Sequence, residues 1–455
     1  IILTFRCLNR LSVVTMKAFT LFLLVFTNYY CLCLQAQRFV VPAPPQSWTF
    51  PRIAIGEEFS VPKSVASFPN MPLPTMSLQN QSVMRMVNED IAYHAEIERR
   101  KLILNHLIYK GFPSWEGEPG TECFYEAYKE LSAMLSDSIP LNIERAVFLI
   151  ENAYLGNKMR YSDFQNEISE RVQYCQWRLN DLKINPIDDL SKNMAIFSLL
   201  TDTLSIHQPG SEKTFMHYPL KYNLDDYDSQ RDYTSHFVSS MFHSNLGQCY
   251  SMPLLYLMMA ERMDAEAYLS YAPKHMFIKI KDDKGAWYNL ELTCRSVLSD
   301  YHYMNGSYIK SEAVRNGLYL VPVSKKETVA MLLAQLGRYY RVKYGYDPFI
   351  IKCAGQSEWY APNSIDAKII EADYQTVLTM EIAHLLNAYT PDVLKEISPD
   401  AYLHYVRMHQ LYKEIDDCGY EEMPVELYQN WLKYVTDLKE KEKADPQPRL
   451  RKMVK

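Results

Sequence analysis

Three residue types that together make a nucleophilic catalyst stand close in the chain. Cys249 lies in NLGQCYSMPLLYL, His275 opens HMFIKI, and Glu291 stands near the end of AWYNLEL. A cysteine attacks as its thiolate, and it needs a base within reach and donors for the oxyanion that develops. Gly247 permits a sharp turn, and the apolar run behind Cys249 predicts a helix over 250–263. The sulfur would then stand at a helix start, where unpaired N–H groups and the positive end of the helix dipole favour an anion. Pro253 fits the first turn, where its missing N–H costs nothing. The segments 275–280 and 286–292 flank the turn KDDKG and predict a β-hairpin. Alternation puts His275, Phe277 and Lys279 on one side of the first strand, and Trp287, Asn289 and Glu291 on one side of the second. A carboxylate from Glu291, or the amide of Asn289 as the alternative orienter, can therefore approach the imidazole. Gln248 and the backbone N–H of Cys249 mark the oxyanion region. The residues alone also admit an inert packed thiol or a zinc ligand. Neither a Cys-x-x-Cys pair nor a His-Glu-x-x-His helix accompanies them, so neither a metal nor a cofactor is expected.

The elements that must position these groups are mostly helical. Apolar spacing predicts helices over 82–110, 121–136, 142–155, 161–180 and 188–203, with Asn142 as a cap. Residues 206–240 are rich in His, Pro, Tyr and Asp and weakly periodic; they read as a functional loop or groove wall, or as irregular surface. In that segment and just beyond it, His217, His236 and His243 are expected to be solvated, whereas His384, inside an apolar helix, is expected in a core or interface. GLYLVPV at 317–323 predicts a third strand. Beyond it come ETVAMLLAQLGRYYRVKYG, DAKIIEADYQTVLTMEIAHLLNAY, DAYLHYVRMHQLYKEIDDCG and VELYQNWLKYVTDLKEKEK, helices that pair into a small solenoid-like array. The resulting division is 1–36 upstream residues and signal peptide, 37–75 Pro-rich leader, 76–205 helical region, 206–323 catalytic core, 324–445 helical repeat-like domain and 446–455 basic tail.

At 455 residues, with 48% hydrophobic and 22% charged, the chain is long enough for more than one packed core. Lys and Arg total 48 against 54 Asp and Glu, and no basic stripe is present, which argues against a nucleic-acid partner. Met16-Lys17 leads into AFTLFLLVF and ends towards Ala36, the pattern of a signal peptide, so the protein is expected to be exported to a periplasmic or extracellular space. An N-terminal anchor is the alternative, but Asn28, Tyr29 and Tyr30 interrupt a span of about 20 residues, and no stable span is expected once the signal is removed. Loss of residues 1–36 takes Arg6, Arg10 and Lys17 and no acid, leaving 45 basic against 54 acidic residues, a net charge of -9. Six cysteines stay beyond that point: Cys123, Cys175, Cys249, Cys294, Cys353 and Cys418. That is too few for a disulfide scaffold in a chain of this length and leaves room for a free working thiol.

The hairpin and the cysteine helix together resemble the transglutaminase-like superfamily. Gly247-Gln248-Cys249-Tyr250 is similar to its Gly-Gln-Cys-aromatic signature, His275 stands where its strand histidine stands, and Trp287-Tyr-Asn-Leu-Glu291 is similar to its Trp-x-x-Leu-Asp ending. The sequence departs from the pattern at Glu291, where Asp is usual, and at Phe277, where Trp is common. The resemblance covers roughly 215–323 and extends back towards 142; the helices after it are similar, more loosely, to tetratricopeptide repeats in exported bacterial proteins. It implies an α+β fold: a papain/transglutaminase-like core, a cysteine-bearing helix on a small antiparallel sheet, between a helical N-terminal region and a repeat-like C-terminal one. It also implies papain-like chemistry on amide bonds of a protein or cell-wall peptide, ending in hydrolysis or transfer, with Cys249 as nucleophile, His275 as base and Glu291 as orienter. The C-terminal helices would offer a surface to a protein partner. A catalytically silent binding protein of the same fold is the alternative function.

Overall fold

The computed structural model describes residues 78–184, 188–306, 309–421 and 424–444. The expected signal peptide, Pro-rich leader and basic tail lie outside the described residues. The chain is a mixed α+β fold with helix-rich N- and C-terminal regions around small, mainly antiparallel sheets.

Helical spacing in the first half produces α1 (Leu78–Lys110), α2 (Glu122–Leu135), α3 (Ile143–Tyr154), α4 (Tyr161–Asp181) and α5 (Asp189–Thr201). Asn142 caps α3, its side chain accepting the Arg145 N–H at 2.7 Å, which satisfies one of the donors a helix start leaves orphaned. The irregular stretch that follows contains the ribbon β1 (Leu204–His207) with β2 (Thr214–His217), the two-residue β3 (Lys221–Tyr222), and α6 (Val238–Ser244). After α6 comes β4 (Leu246–Gly247), parallel to β3, and then α7 (Ser251–Arg262).

Helix α7 is the centre of the molecule. Every residue from Ser251 to Ala260 is buried, as its near-continuous apolar sequence requires of a helix surrounded on all sides. It packs against α3, α4, α5 and α6 and against β5 (Tyr268–Ala272) and β6 (His275–Lys281). Strands β5 and β6, with β7 (Trp287–Glu291) and β8 (Ser296–Leu298), form one antiparallel sheet in sequential order. The β6–β7 register pairs Lys279 with Asn289 and Ile278 with Leu290. This puts His275, Phe277 and Lys279 on the same face as Asn289 and Glu291. Ile278, Ile280 and Leu290 face α7 in the core.

The strand expected at 317–323 does not form. Leu320 adopts φ +62, a left-handed conformation that breaks an extended run, and Pro322 lacks a ladder donor. The segment instead touches β5 through one bridge, Leu269 to Val323, and through Leu320 N–H to Tyr271 O at 3.0 Å. Short helices α8 (Asp300–Gly306) and α9 (Ser311–Arg315) precede it.

The C-terminal helices are α10 (Lys325–Tyr344), α11 (Pro348–Tyr360), α12 (Ile365–Leu385), α13 (Pro391–Ile397), α14 (Pro399–Asp417) and α15 (Val425–Ala444). Neighbours pack in order, α10 on α11, α11 on α12 and α12 on α14. Gly337 allows the closest approach, since a Cβ there would stand 3.0 Å from Cys353 Cβ. The main apolar core runs without a break from Cys123 to Ile370, so α10 and α11 share it with α2, α3 and α7. The end of α1 closes on the last array through Leu107, through Tyr109 to Asp400 at 2.7 Å, and through His404 to Ile108 O at 2.8 Å. Among the described residues no helix is long and apolar enough to cross a membrane.

Candidate functional site

The cysteine is delivered by a tightly packed bend. Helix α6 ends at Asn245 in a left-handed conformation, φ +56, and the chain turns through β4 into Gln248 and Cys249. Gly247 is obligatory there: a Cβ would overlap Met241 Sδ and come within 2.8 Å of Met252 Cγ. The Gln248 N–H donates to Ser251 Oγ at 3.1 Å, and Met252 N–H returns to Gln248 O at 3.1 Å, closing the turn that opens α7. Pro253 falls in the first turn, as the sequence implies.

The side chain of Gln248 supports this bend rather than the reaction space. Its Nε2 donates to Asp226 O at 2.6 Å and to Ser229 Oγ at 3.0 Å, and Gln248 is buried. Ser229 continues to His236 Nδ1 at 3.3 Å, and His236 Nε2 meets Tyr339 Oη at 3.0 Å. His236 is thus buried rather than solvated, and burial pushes its imidazole down to about 4, so it is neutral at physiological pH. The irregular stretch around 226–236 is the brace of the cysteine loop. By contrast His217 is half-buried on Leu199 O, His243 is exposed, and His384 is exposed at the end of α12, not in a core.

Cys249 is partly exposed, with Sγ 3.9 Å from the carbonyl of Lys274. Lys274 ends the tight β5–β6 turn with φ +55, a conformation that non-glycine residues seldom take and that tends to gather at working sites. The next residue is His275, whose side chain is 10% exposed. Its Nε2 lies 2.6 Å from Glu291 Oε2. The thiol of Cys249 adds to the electrostatics of the ring.

Glu291 is held from every side. Oε1 accepts from the Thr293 N–H at 3.0 Å and from Thr293 Oγ1 at 2.7 Å, and Oε2 accepts from Tyr303 Oη at 2.8 Å as well as from His275. Tyr303, on α8, stacks on Phe277 with centroids 4.2 Å apart and extends the aromatic wall beside the imidazole. Phe277 therefore fills, with Tyr303, the place beside the histidine.

The electrostatics follow from this packing. Burial alone would lower the basicity of His275, but the Glu291 charge and the hydrogen-bonding contacts to Cys249 and Glu291 outweigh it and push the imidazole up to about 10. Burial pushes the Glu291 carboxyl up, and the His275 charge with the His275 and Thr293 hydrogen bonds overcomes it, so the carboxyl lies below its ordinary value. The pair is an imidazolium and a carboxylate at neutral pH.

Asn289 lies elsewhere. Its amide accepts from Lys279 Nζ at 2.8 Å and donates to Asp300 at 2.8 Å, in a polar group completed by the Lys279–Asp300 contact at 2.7 Å, where Lys279 is buried and Asp300 half-exposed. Of the two candidate orienters, Glu291 is the one that meets the histidine.

Four residues at the site carry no signal in the sequence. Thr293 and Tyr303 hold Glu291. Tyr222 is buried beside the cysteine loop, because β3 pairs Tyr222 with Gly247 and the Asn223 N–H donates to Gly247 O at 2.8 Å. Its phenol is held well above its ordinary value by burial first, and then by Cys249, Tyr428 and Glu291. Tyr428 comes from α15. No disulfide joins the six cysteines of the described residues, and Cys123, Cys175 and Cys353 are buried. Among the described residues no group of three or more His, Cys, Asp and Glu is arranged to hold a metal ion.

Comparison of the chain with family models, with curated proteins and with solved structures returns no match.

Proposed function

We propose that the protein is a thiol-dependent hydrolase or acyl transferase of amide bonds, built on a papain/transglutaminase-like core and exported to act on a protein or cell-wall peptide. The observation that carries this reading is the 2.6 Å contact of His275 Nε2 with the buried Glu291; His275 is one residue on from Lys274, whose carbonyl lies 3.9 Å from the sulfur of the partly exposed Cys249. In the resting imidazolium His275 Nδ1 already holds the proton given up by Sγ, and the sulfur attacks the carbonyl carbon to form the C–S bond. The protonated ring then gives its proton to the departing amine as the C–N bond breaks. Water, deprotonated by the same ring, releases the acid from the thioester; an amine in its place completes a transfer.

Two donors are available for the oxyanion. The backbone N–H of Cys249 has no acceptor among the described residues, and Tyr222 stands on the strand paired with Gly247, two residues before the cysteine. With the Gln248 amide engaged at Asp226 and Ser229, Tyr222 is the second donor in this reading, in a role usually worth about 3 kcal/mol of transition-state stabilisation. The C-terminal helices are assigned a partner-binding role, as in repeat proteins whose stacked helices present extended surfaces.

The test is covalent capture. A peptidyl electrophile shaped as an acyl donor is expected to add one equivalent at Cys249, and His275→Ala is expected to suppress the adduct. Equal modification of Cys249, Cys294 and Cys418 would defeat the proposal and favour the silent binding protein.

A further inference from the structure

Helix α15 brings an aromatic ring back to the cysteine. From Pro424 to Asn430 every residue is exposed except Tyr428, which is partly buried. Its ring lies 5.9 Å from that of Tyr227, and Lys274 Nζ stands 5.7 Å from its centroid, a cation–π contact. Lys274 is the residue whose carbonyl faces Cys249 Sγ. Tyr227 follows Asp226, whose carbonyl holds Gln248. Tyr428 therefore rests on both walls of the cysteine site, and Cys249 and Tyr222 lie close enough to interact with it electrostatically. Of the apolar residues near it, Val425 is 56% and Leu427 37% exposed, and Tyr434 further along is 52% exposed.

A helix start docked through one ring is poorly fixed, because little apolar area leaves water and few neighbours resist its opening. A side chain placed over a nucleophile also occupies space that an acyl donor needs. We propose that α15 is an autoinhibitory cover, closed over Cys249 by Tyr428 against Tyr227 and Lys274, and that the acyl donor enters only when it lifts. This rests on the reading of Cys249 as the reacting thiol, but the closure itself is a matter of access and can be measured without turnover.

The experiment uses the full chain and reads the rate at which iodoacetamide labels each cysteine, located by mass spectrometry. A cover whose open state holds a tenth or less of the population slows labelling about tenfold or more. Tyr428→Ala is thus expected to raise the Cys249 rate about tenfold, with Cys294 and Cys418 unchanged and the buried Cys175 and Cys353 still protected. Lys274→Gln, which removes the cation that faces the ring, is expected to raise it in the same direction by less. If Tyr428→Ala also exposes Cys175 and Cys353, the fold has been lost in that variant, and Lys274→Gln decides. Unchanged or slower labelling of Cys249 in a folded variant overturns the cover. The nucleophile reading fails separately: His275→Ala would then leave Cys249 labelling as it is, while Tyr428→Ala still accelerated it.

Discussion

Replacing Glu291 with Gln removes one charge from a buried pair and leaves the shape nearly unchanged. The carboxylate of Glu291 receives four donors: two from Thr293, one from Tyr303 and one from His275. An amide can accept at one end only, so its NH2 group must face either the Thr293 donors or the His275 and Tyr303 donors. Breaking a buried ion pair at one partner typically costs about 3–5 kcal/mol. The loss should depend on pH in a defined direction. The Glu291 carboxyl is lowered in the fold, so its contribution is present above its unfolded value of 4.5 and is lost as pH falls below it. The His275 imidazole is raised, so its contribution is complete below 6.5 and is lost as pH rises towards about 10. The stability gap between the natural chain and Glu291→Gln should therefore be widest near pH 5–6.5 and at most half as large at pH 10. Urea denaturation of both proteins at pH 6 and pH 10 measures it. A gap of the same size at both pH values, or one under about 1 kcal/mol at pH 6, would refute the charged pair.

Two further outcomes follow from the geometry. Gly247→Ala forces a methyl group into Met241 and Met252, so it should cost about 1–3 kcal/mol by overpacking in a thermal or urea melt, and it should slow labelling of Cys249 because the bend that presents the sulfur must shift. Asn289→Ala takes one acceptor from the buried Lys279 and should lower stability by about 1–3 kcal/mol; its rate of Cys249 labelling should stay close to that of the natural chain, in contrast to Glu291→Gln. Equal effects of the two substitutions on labelling would return Asn289 to the role of orienter.

The parts of this arrangement that were legible in the sequence are those set by local rules. Helical spacing located α1 to α5 and α7, and the Asn142 cap was visible because capping needs only a side chain and an N–H three residues on. His275 and Glu291 shared a face because a strand alternates and the KDDKG turn fixed the pairing: Asp282 Oδ1 accepts from Lys284 and Ala286 N–H at 3.0 and 2.7 Å. Helix α11 escaped notice although Asp347 followed by Pro348 is a cap and first-turn signal, since Gly355 and the mixed sequence around it obscure the spacing. What could not be read is tertiary. The two residues of β3 are too short to show a period, so Tyr222 gave no sign of reaching the cysteine. Tyr303 reaches Glu291 from another element, and no spacing along the chain encodes that meeting. The strand expected at 317–323 shows the opposite failure, where β-rich residues were overridden by the left-handed Leu320.

The central claim is that the imidazole of His275 activates the sulfur of Cys249. The rate of iodoacetamide addition to Cys249 at pH 7, compared between the natural chain and His275→Ala, tests it most directly. The account predicts that Cys249 is the fastest of the six thiols and that His275→Ala slows it about a hundredfold, the low end of what a positioned base contributes. A rate unchanged by His275→Ala, with Cys249 no faster than Cys294 or Cys418, would contradict it.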